Sequence, residues 1–252
     1  MAIARNELLD YLNQQLNVGR INDFCPNGLQ VEGKENIQQI VTGVTASQAL
    51  LDQAVSVGAD AVLVHHGYFW KNEAAPVTGM KQRRIKTLLQ HNINLLAYHL
   101  PLDVHAQFGN NAQLARLMGW STQGTADPND PACALMLGGC SEISSDGLKA
   151  QLEERLQRPL TCYVAKPGKL TRLAWCTGGG QGFIDKAAAL GVDGFITGEV
   201  SEQTVHSARE QGIAFFAAGH HATERYGVKA LGQHLQQQFD LQVQFIDIDN
   251  PA

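Results

Sequence analysis

One order of elements occurs twice in this chain, and it restricts the fold more than any other feature. Strand-like apolar runs at residues 40–45, 61–64 and 94–99 are separated by helical periodicity over 47–57 and 81–90. The second half repeats the order, with strands expected at 173–177, 194–197 and 213–217 and helices at 183–190 and 201–211. Continuous apolar strands alternating with helices predict a largely parallel sheet buried on both faces. The halves also align residue by residue: setting Gly58 on Gly191 places Asp52 on Asp185, Ala54 on Ala187 and Asp60 on Asp193. With one gap, the run from Asn94 to His99 resembles that from Ala214 to His220. The expected fold class is therefore α/β, an internal β-α-β-α-β duplication forming two related lobes. The lobes are expected at 1–125 and 126–252, packed as one globular unit, with equivalent strand ends converging on a shared site. Around this frame, 4–16 has helical spacing, 17–33 reads as loop, and 122–131, rich in Asp, Pro, Gly and Thr, reads as a linker or exposed loop. Residues 133–138, a helix near 146–156 and residues 161–165 bridge into the second repeat.

Composition narrows the setting. With 44% hydrophobic and 17% charged residues in 252, the chain has material for a core that needs no staples. The five cysteines, Cys25, Cys133, Cys140, Cys162 and Cys176, are odd in number and form no C-x-x-C pair, which fits reduced thiols in a cytoplasmic protein. Arg5, Glu7 and Asp10 interrupt the N-terminal stretch, so it lacks the apolar core of a secretory signal. No stretch approaches the roughly 20 apolar residues of a membrane span. A formal charge of -5 disfavours nucleic acid as a partner, because phosphate binding rests on clustered Lys and Arg.

The chemistry-bearing residues gather at strand ends, where sites collect in parallel sheets. His65 and His66 leave the run 61–64, His99 leaves 95–98, and His220 and His221 follow 215–219. Paired histidines leaving a strand point in different directions and can serve different metal ions. In His99-Leu-Pro-Leu-Asp103 the proline is expected to prevent an immediate helix and hold Asp103 in a turn. In Gly219-His-His-Ala-Thr-Glu224 a helical pattern follows, which places His220 and Glu224 at i and i+4 on one face, a spacing that delivers two metal ligands. Taken singly, each segment has a plain structural explanation; three at equivalent strand ends are more persuasive. His65, His66, Asp103, His220 and Glu224 form a borderline donor set suited to zinc, iron, manganese or nickel. With a bridging carboxylate, five such side chains can serve two divalent ions about 3.5 to 4 Å apart, and water on such ions has its pKa lowered toward about 7. Hydrolysis is the natural reaction class. His99 is a candidate general acid or base, or a supporting partner of a ligand. Glu199 is a candidate for positioning substrate or water, with capping of the helix starting near Ser201 as the plainer reading. Thr177-Gly-Gly-Gly180 lacks the Lys and Ser/Thr of a phosphate loop and reads better as a tight turn. Tyr68, Phe69 and Trp70 read as packing over the site or as a subunit contact more readily than as a base-stacking surface.

Five segments together, Asn27-Gly-Leu-Gln-Val-Glu-Gly33, Val64-His-His-Gly67, His99-Leu-Pro-Leu-Asp103, Ile196-Thr-Gly-Glu199 and Gly219-His-His-Ala-Thr-Glu224, resemble those of the GTP cyclohydrolase I type 2 homologue family, also called NGG-interacting-factor-like. The likeness runs nearly end to end, without the domain that longer relatives insert between the halves. It implies a dinuclear metal centre between two α/β lobes and a toroidal homohexamer, a trimer of dimers, with its sites facing an internal cavity. Carried over by position, the family's metal ligands fall on His65, His66, Asp103, His220 and Glu224. The implied activity is a metal-dependent hydrolase with GTP or another nucleotide or heterocycle as candidate substrate; the alternative is a non-enzymatic hexameric scaffold locked by its metals.

Overall fold

A computed structural model describes residues 2–252. In chain order its elements are β1 (Ile3–Ala4), α1 (Arg5–Gln15), β2 (Gly28–Val31), β3 (Asn36–Ile37), β4 (Gln39–Thr45), α2 (Gln48–Ser56), β5 (Ala61–His66), α3 (Gly79–Gln90), β6 (Asn94–Ala97) and α4 (Leu100–Asp103). There follow α5 (Asn110–Met118), β7 (Ser121–Thr125), β8 (Met136–Ser144), α6 (Ser145–Leu156), β9 (Cys162–Val164), β10 (Lys169–Cys176), α7 (Ile184–Ala189), β11 (Gly194–Thr197), α8 (Glu202–Gln211), β12 (Ala214–Ala217), α9 (His220–Phe239) and β13 (Gln242–Phe245).

The chain divides into two compact units, but not by one cut near residue 125. The first comprises the chain up to Gly109 together with Arg225–Asp249; the second comprises Asn110–Glu224 with Asn250–Ala252. The reason lies in α9, whose Val228, Leu231 and Leu235 join the core of the first unit, and in β13, which pairs in parallel with β4.

Among the described residues the first unit holds a sheet of order β13-β4-β5-β6-β2. Strands β13, β4, β5 and β6 run parallel, and β2 closes the edge antiparallel to β6. Alternation along β5 shows why these runs are apolar throughout. Ala61 and Leu63 face a core built with Leu8, Leu12 and Leu16 at one side, while Val62 and Val64 face Leu50, Leu51, Ala54 and Leu88 at the other. Both faces are helix-covered, so no position on the strand can be polar without a cost.

The second unit holds the order β7-β8-β10-β11-β12-β9, with β10, β11 and β12 parallel and the remaining strands antiparallel. The expected parallel centre is present in both units, and antiparallel strands extend it. The duplication reaches down to register: Ile40 pairs with Ala61 and Ala61 with Asn94, while Leu173 pairs with Gly194 and Gly194 with Ala214. Asp60 accepts the amides of Gln38 and Gln39 and a bond from Lys34; Asp193 accepts those of Thr171 and Arg172 and a bond from Lys166. Each Asp follows a glycine with positive φ, Gly58 at 73° and Gly191 at 68°, that ends the preceding helix. The repeated Gly-x-Asp is thus a helix stop joined to a clamp on the neighbouring strand.

Among the described residues no two cysteines are joined in a disulfide, and no helix is long and apolar enough to cross a membrane.

Candidate metal centre

In the first unit the site grows from the end of β5. The strand runs two residues further than its apolar core, so His65 and His66 are its last members, and their rings come together with centroids 4.5 Å apart. His65 is fully buried, and its Nδ1 lies 3.0 Å from the Tyr98 carbonyl. A carbonyl only accepts, so Nδ1 carries the hydrogen and Nε2 keeps its lone pair. That Nε2 is 3.5 Å from Asp103 Oδ1. His66 Nδ1 is 3.1 Å from the Thr45 hydroxyl. Asp103, buried, closes α4. The proline at 101 does not prevent this helix: it occupies the first turn, where its missing N–H costs nothing, so the expected turn is a single helical turn. His99 stands before α4, and the ligand atoms of His65, His66 and His99 lie within 4.8 Å of one another. Tyr68 is buried with its hydroxyl on the Ala46 carbonyl, and Trp70 packs edge-on against His99 at 4.9 Å.

In the second unit the first turn of α9 carries His220 and Glu224, with Nε2 3.1 Å from Oε2, as the i, i+4 spacing predicts. His220 Nδ1 donates to Glu199 Oε1 at 2.7 Å, and Glu199 Oε2 accepts from Gln181 at 2.9 Å. Glu199 therefore does not cap α8; Ser201 does, in a capping box with Thr204. Burial opposes a charged imidazole at His220, but Glu224 and then Glu199 outweigh it and lift its pKa to about 9. The glycine-rich turn is spent on internal bonds. Thr177 N–H goes to Asn111, Gly178 N–H to Thr223 and Gly180 N–H to Thr197, which leaves no cradle of amides for phosphate. The turn instead makes room for Glu224. Gly178 has φ of 64°, and a Cβ there would overlap Glu224 Oε1. The next residue of α9, His221, donates its amide to the Ala252 carbonyl.

The profile of the Duf34/NIF3 family (NGG1p interacting factor 3) matches residues 3–251. The chain belongs to this family. It is 56% identical over 254 residues to a GTP cyclohydrolase 1 type 2 homolog of Pseudomonas aeruginosa, covering 100% of both chains. It is 58% identical over 251 residues to a protein of the same name from Escherichia coli (strain K12), covering 99% of this chain and 100% of the relative. Among solved structures it is similar to protein ybgI, described as of unknown function, with TM-score 0.95, 56% identity and 99% and 100% of the two chains covered. TTHA1606 from Thermus thermophilus follows with TM-score 0.89 and 32% identity over 99% and 100%.

Within this family member the donors suit a divalent ion of borderline softness. His65 and His220 each spend Nδ1–H on a carbonyl or carboxylate, the arrangement by which a supporting acceptor fixes the tautomer of a metal-ligating imidazole. Sequence reasoning singled out both histidines and Glu199, but Glu199 as a group for substrate or water rather than as the support of His220. Tyr98 acts through its backbone, which no residue type advertises. Asp23, which accepts from His99 Nδ1 at 2.7 Å, lies 76 residues away in a segment read as loop.

Proposed function

We propose that the chain is a metal-dependent hydrolase acting on a nucleotide or related heterocycle, with His65, His66 and Asp103 of the first unit and His220 and Glu224 of the second as its metal ligands. One observation carries the reading: two buried or half-buried imidazoles with Nδ1 committed to an acceptor each turn Nε2 to a carboxylate, Asp103 for His65 and Glu224 for His220. Such a donor set recurs where zinc, iron, manganese or nickel is held. Two divalent ions, were they held by these residues, would supply Lewis acidity and an activated water. The chain's own groups do the rest. Glu199 takes up His220 Nδ1 and so leaves Nε2 as the nitrogen an ion would displace a proton from, and His99 offers a further imidazole beside His65 and His66. The relatives' name makes GTP the first substrate to try.

The test is elemental analysis of wild type and Glu224→Ala, followed by hydrolysis assays of GTP and other nucleotides on matched metal-loaded samples. The expected result is near two ions per wild-type chain, with less metal and lost turnover in the variant. Metal retention without turnover of any nucleotide favours a scaffold locked by its ions. A wild type that takes up no metal after reconstitution overturns the ligand assignment itself.

A further inference from the structure

His99 is held more tightly than an ordinary residue beside a site. Its backbone lies at φ -96° and ψ -106°, outside the helical and extended regions. Two side chains from the segment before β2 hold it there. Asn27 Oδ1 accepts the His99 amide at 2.8 Å, and Asp23 Oδ2 accepts the Leu100 amide at 2.9 Å. Asp23 is the centre of the clamp, with its side chain only 3% exposed. Its Oδ1 accepts from the Phe24 amide and from His99 Nδ1, and its Oδ2 accepts from Asn27 Nδ2 and the Leu100 amide. Four donors fill the four acceptor positions of an ionised carboxylate. Burial alone raises the Asp23 carboxyl, but the bonds from His99, Asn27 and Phe24 prevail and hold it below its usual range.

A carboxylate of this kind accepts and does not donate, so the hydrogen of the bond belongs to His99 Nδ1. The ring cannot easily turn over, because Trp70 lies across it at 82° with centroids 4.9 Å apart. Trp70 is itself fixed by its indole N–H on the Gly67 carbonyl and by its amide on Glu73. The His65 and His66 rings stand 5.1 and 5.9 Å from that of His99.

We propose that Asp23 is a positioning residue that holds His99 in the Nδ1–H tautomer and presents Nε2 as a hydrogen-bond acceptor to a water or substrate O–H or N–H group held beside His65 and His66. The identity of that group rests on the hydrolase reading; the tautomer does not. Asp23 here does for His99 what Glu199 does for His220, from an unrelated part of the chain. A purely structural Asp23, needed only to close its loop, makes no demand on which nitrogen of His99 bears the hydrogen.

The experiment is long-range 1H–15N correlation of histidine-labelled full-length protein, metal-free and zinc-loaded, with the His99 signals assigned by their loss in His99→Gln. In wild type, Nδ1 is expected to be protonated and Nε2 to be the bare nitrogen. Asp23→Asn is expected to shift His99 to the Nε2–H tautomer or a mixture without changing metal content, and to lower kcat about 10- to 100-fold at unchanged KM on any nucleotide turned over. Asp23→Glu is expected to restore the wild-type spectrum in part. A wild-type His99 with its hydrogen on Nε2 overturns the proposal even if neither Asp23 variant folds. So does a folded Asp23→Asn with an unchanged tautomer, and so does coupling of His99 Nε2 to cadmium in 113Cd-loaded protein, which makes that nitrogen a ligand. Absence of turnover in every sample removes the hydrolase reading and leaves the tautomer to be decided by the spectra.

Discussion

Replacing Gly178 by alanine separates two costs that usually arrive together. The first is conformational: an L side chain at φ 64° costs about 1 to 2 kcal/mol relative to its relaxed state. The second is local crowding, because the new methyl group overlaps Glu224 Oε1 and the carboxylate must swing away from His220 Nε2, now 3.1 Å distant. Gly212 supplies the control, since it has φ 67° at the end of α8 and open space where a Cβ would lie. Gly212→Ala therefore carries the conformational cost alone. Urea unfolding of the metal-free proteins is expected to show both variants destabilised, with Gly178→Ala the worse. Zinc competition against a chelator is expected to show wild-type affinity in Gly212→Ala and a loss of about 10- to 100-fold in Gly178→Ala, equivalent to about 1.4 to 2.7 kcal/mol of binding. Equal zinc affinity in the two variants refutes the claim that the glycine turn exists to seat Glu224.

Three further outcomes follow from the same contacts. Glu199→Gln keeps an acceptor for His220 Nδ1 but removes the charge, and zinc affinity by competition is expected to fall about 10-fold; an unchanged value denies Glu199 a supporting role. Burial raises the Asp193 carboxyl, but Lys166 and the Arg172 and Thr171 amides outweigh it and lower its pKa from 3.8 to about 2. A pKa lower in the folded than in the unfolded chain means that the ionised form stabilises the fold: the contribution, on the order of 2 kcal/mol, is complete above pH ~4 and is lost as pH falls from 3.8 toward 2. The stability gap between wild type and Asp193→Asn in urea should shrink across that window, and a gap independent of pH contradicts the assignment. Cys25 is buried, and burial followed by the charge of Asp23 pushes its thiol up to about 12. It should resist alkylation at pH ~8 in the folded protein and react after unfolding, as followed by peptide mass.

What could be read in the sequence was what burial on two faces imposes. Strands β4 and β5 stand out because helices cover them on both sides, β11 and the end of β10 because they are buried, and the Gly-x-Asp punctuation repeats because Asp60 and Asp193 clamp equivalent amides. Edge strands escaped for the opposite reason. Ser121 to Gly124 of β7 are exposed and polar, so neither period marks them, and β2 is four residues long with an irregularity between Leu29 and Val31. His220 and Glu224 were legible because a helix brings i and i+4 together locally. Asp23 was not, since nothing near it in sequence reveals a bond to His99, and Glu199 looked like a cap because Ser201, the real one, is only two residues on.

Helix α9 has a consequence for how this protein is made. The strands of the second unit are all synthesised once Ala217 has left the ribosome, whereas the first unit still lacks Val228, Leu231 and Leu235 of its core and the β13 edge that pairs with β4. The half of the chain translated first thus waits for a helix and a strand made after every strand of the second unit. A nascent chain arrested before residue 225 would lack the partners that cover Leu8, Leu12, Leu63 and Leu96 in the finished core.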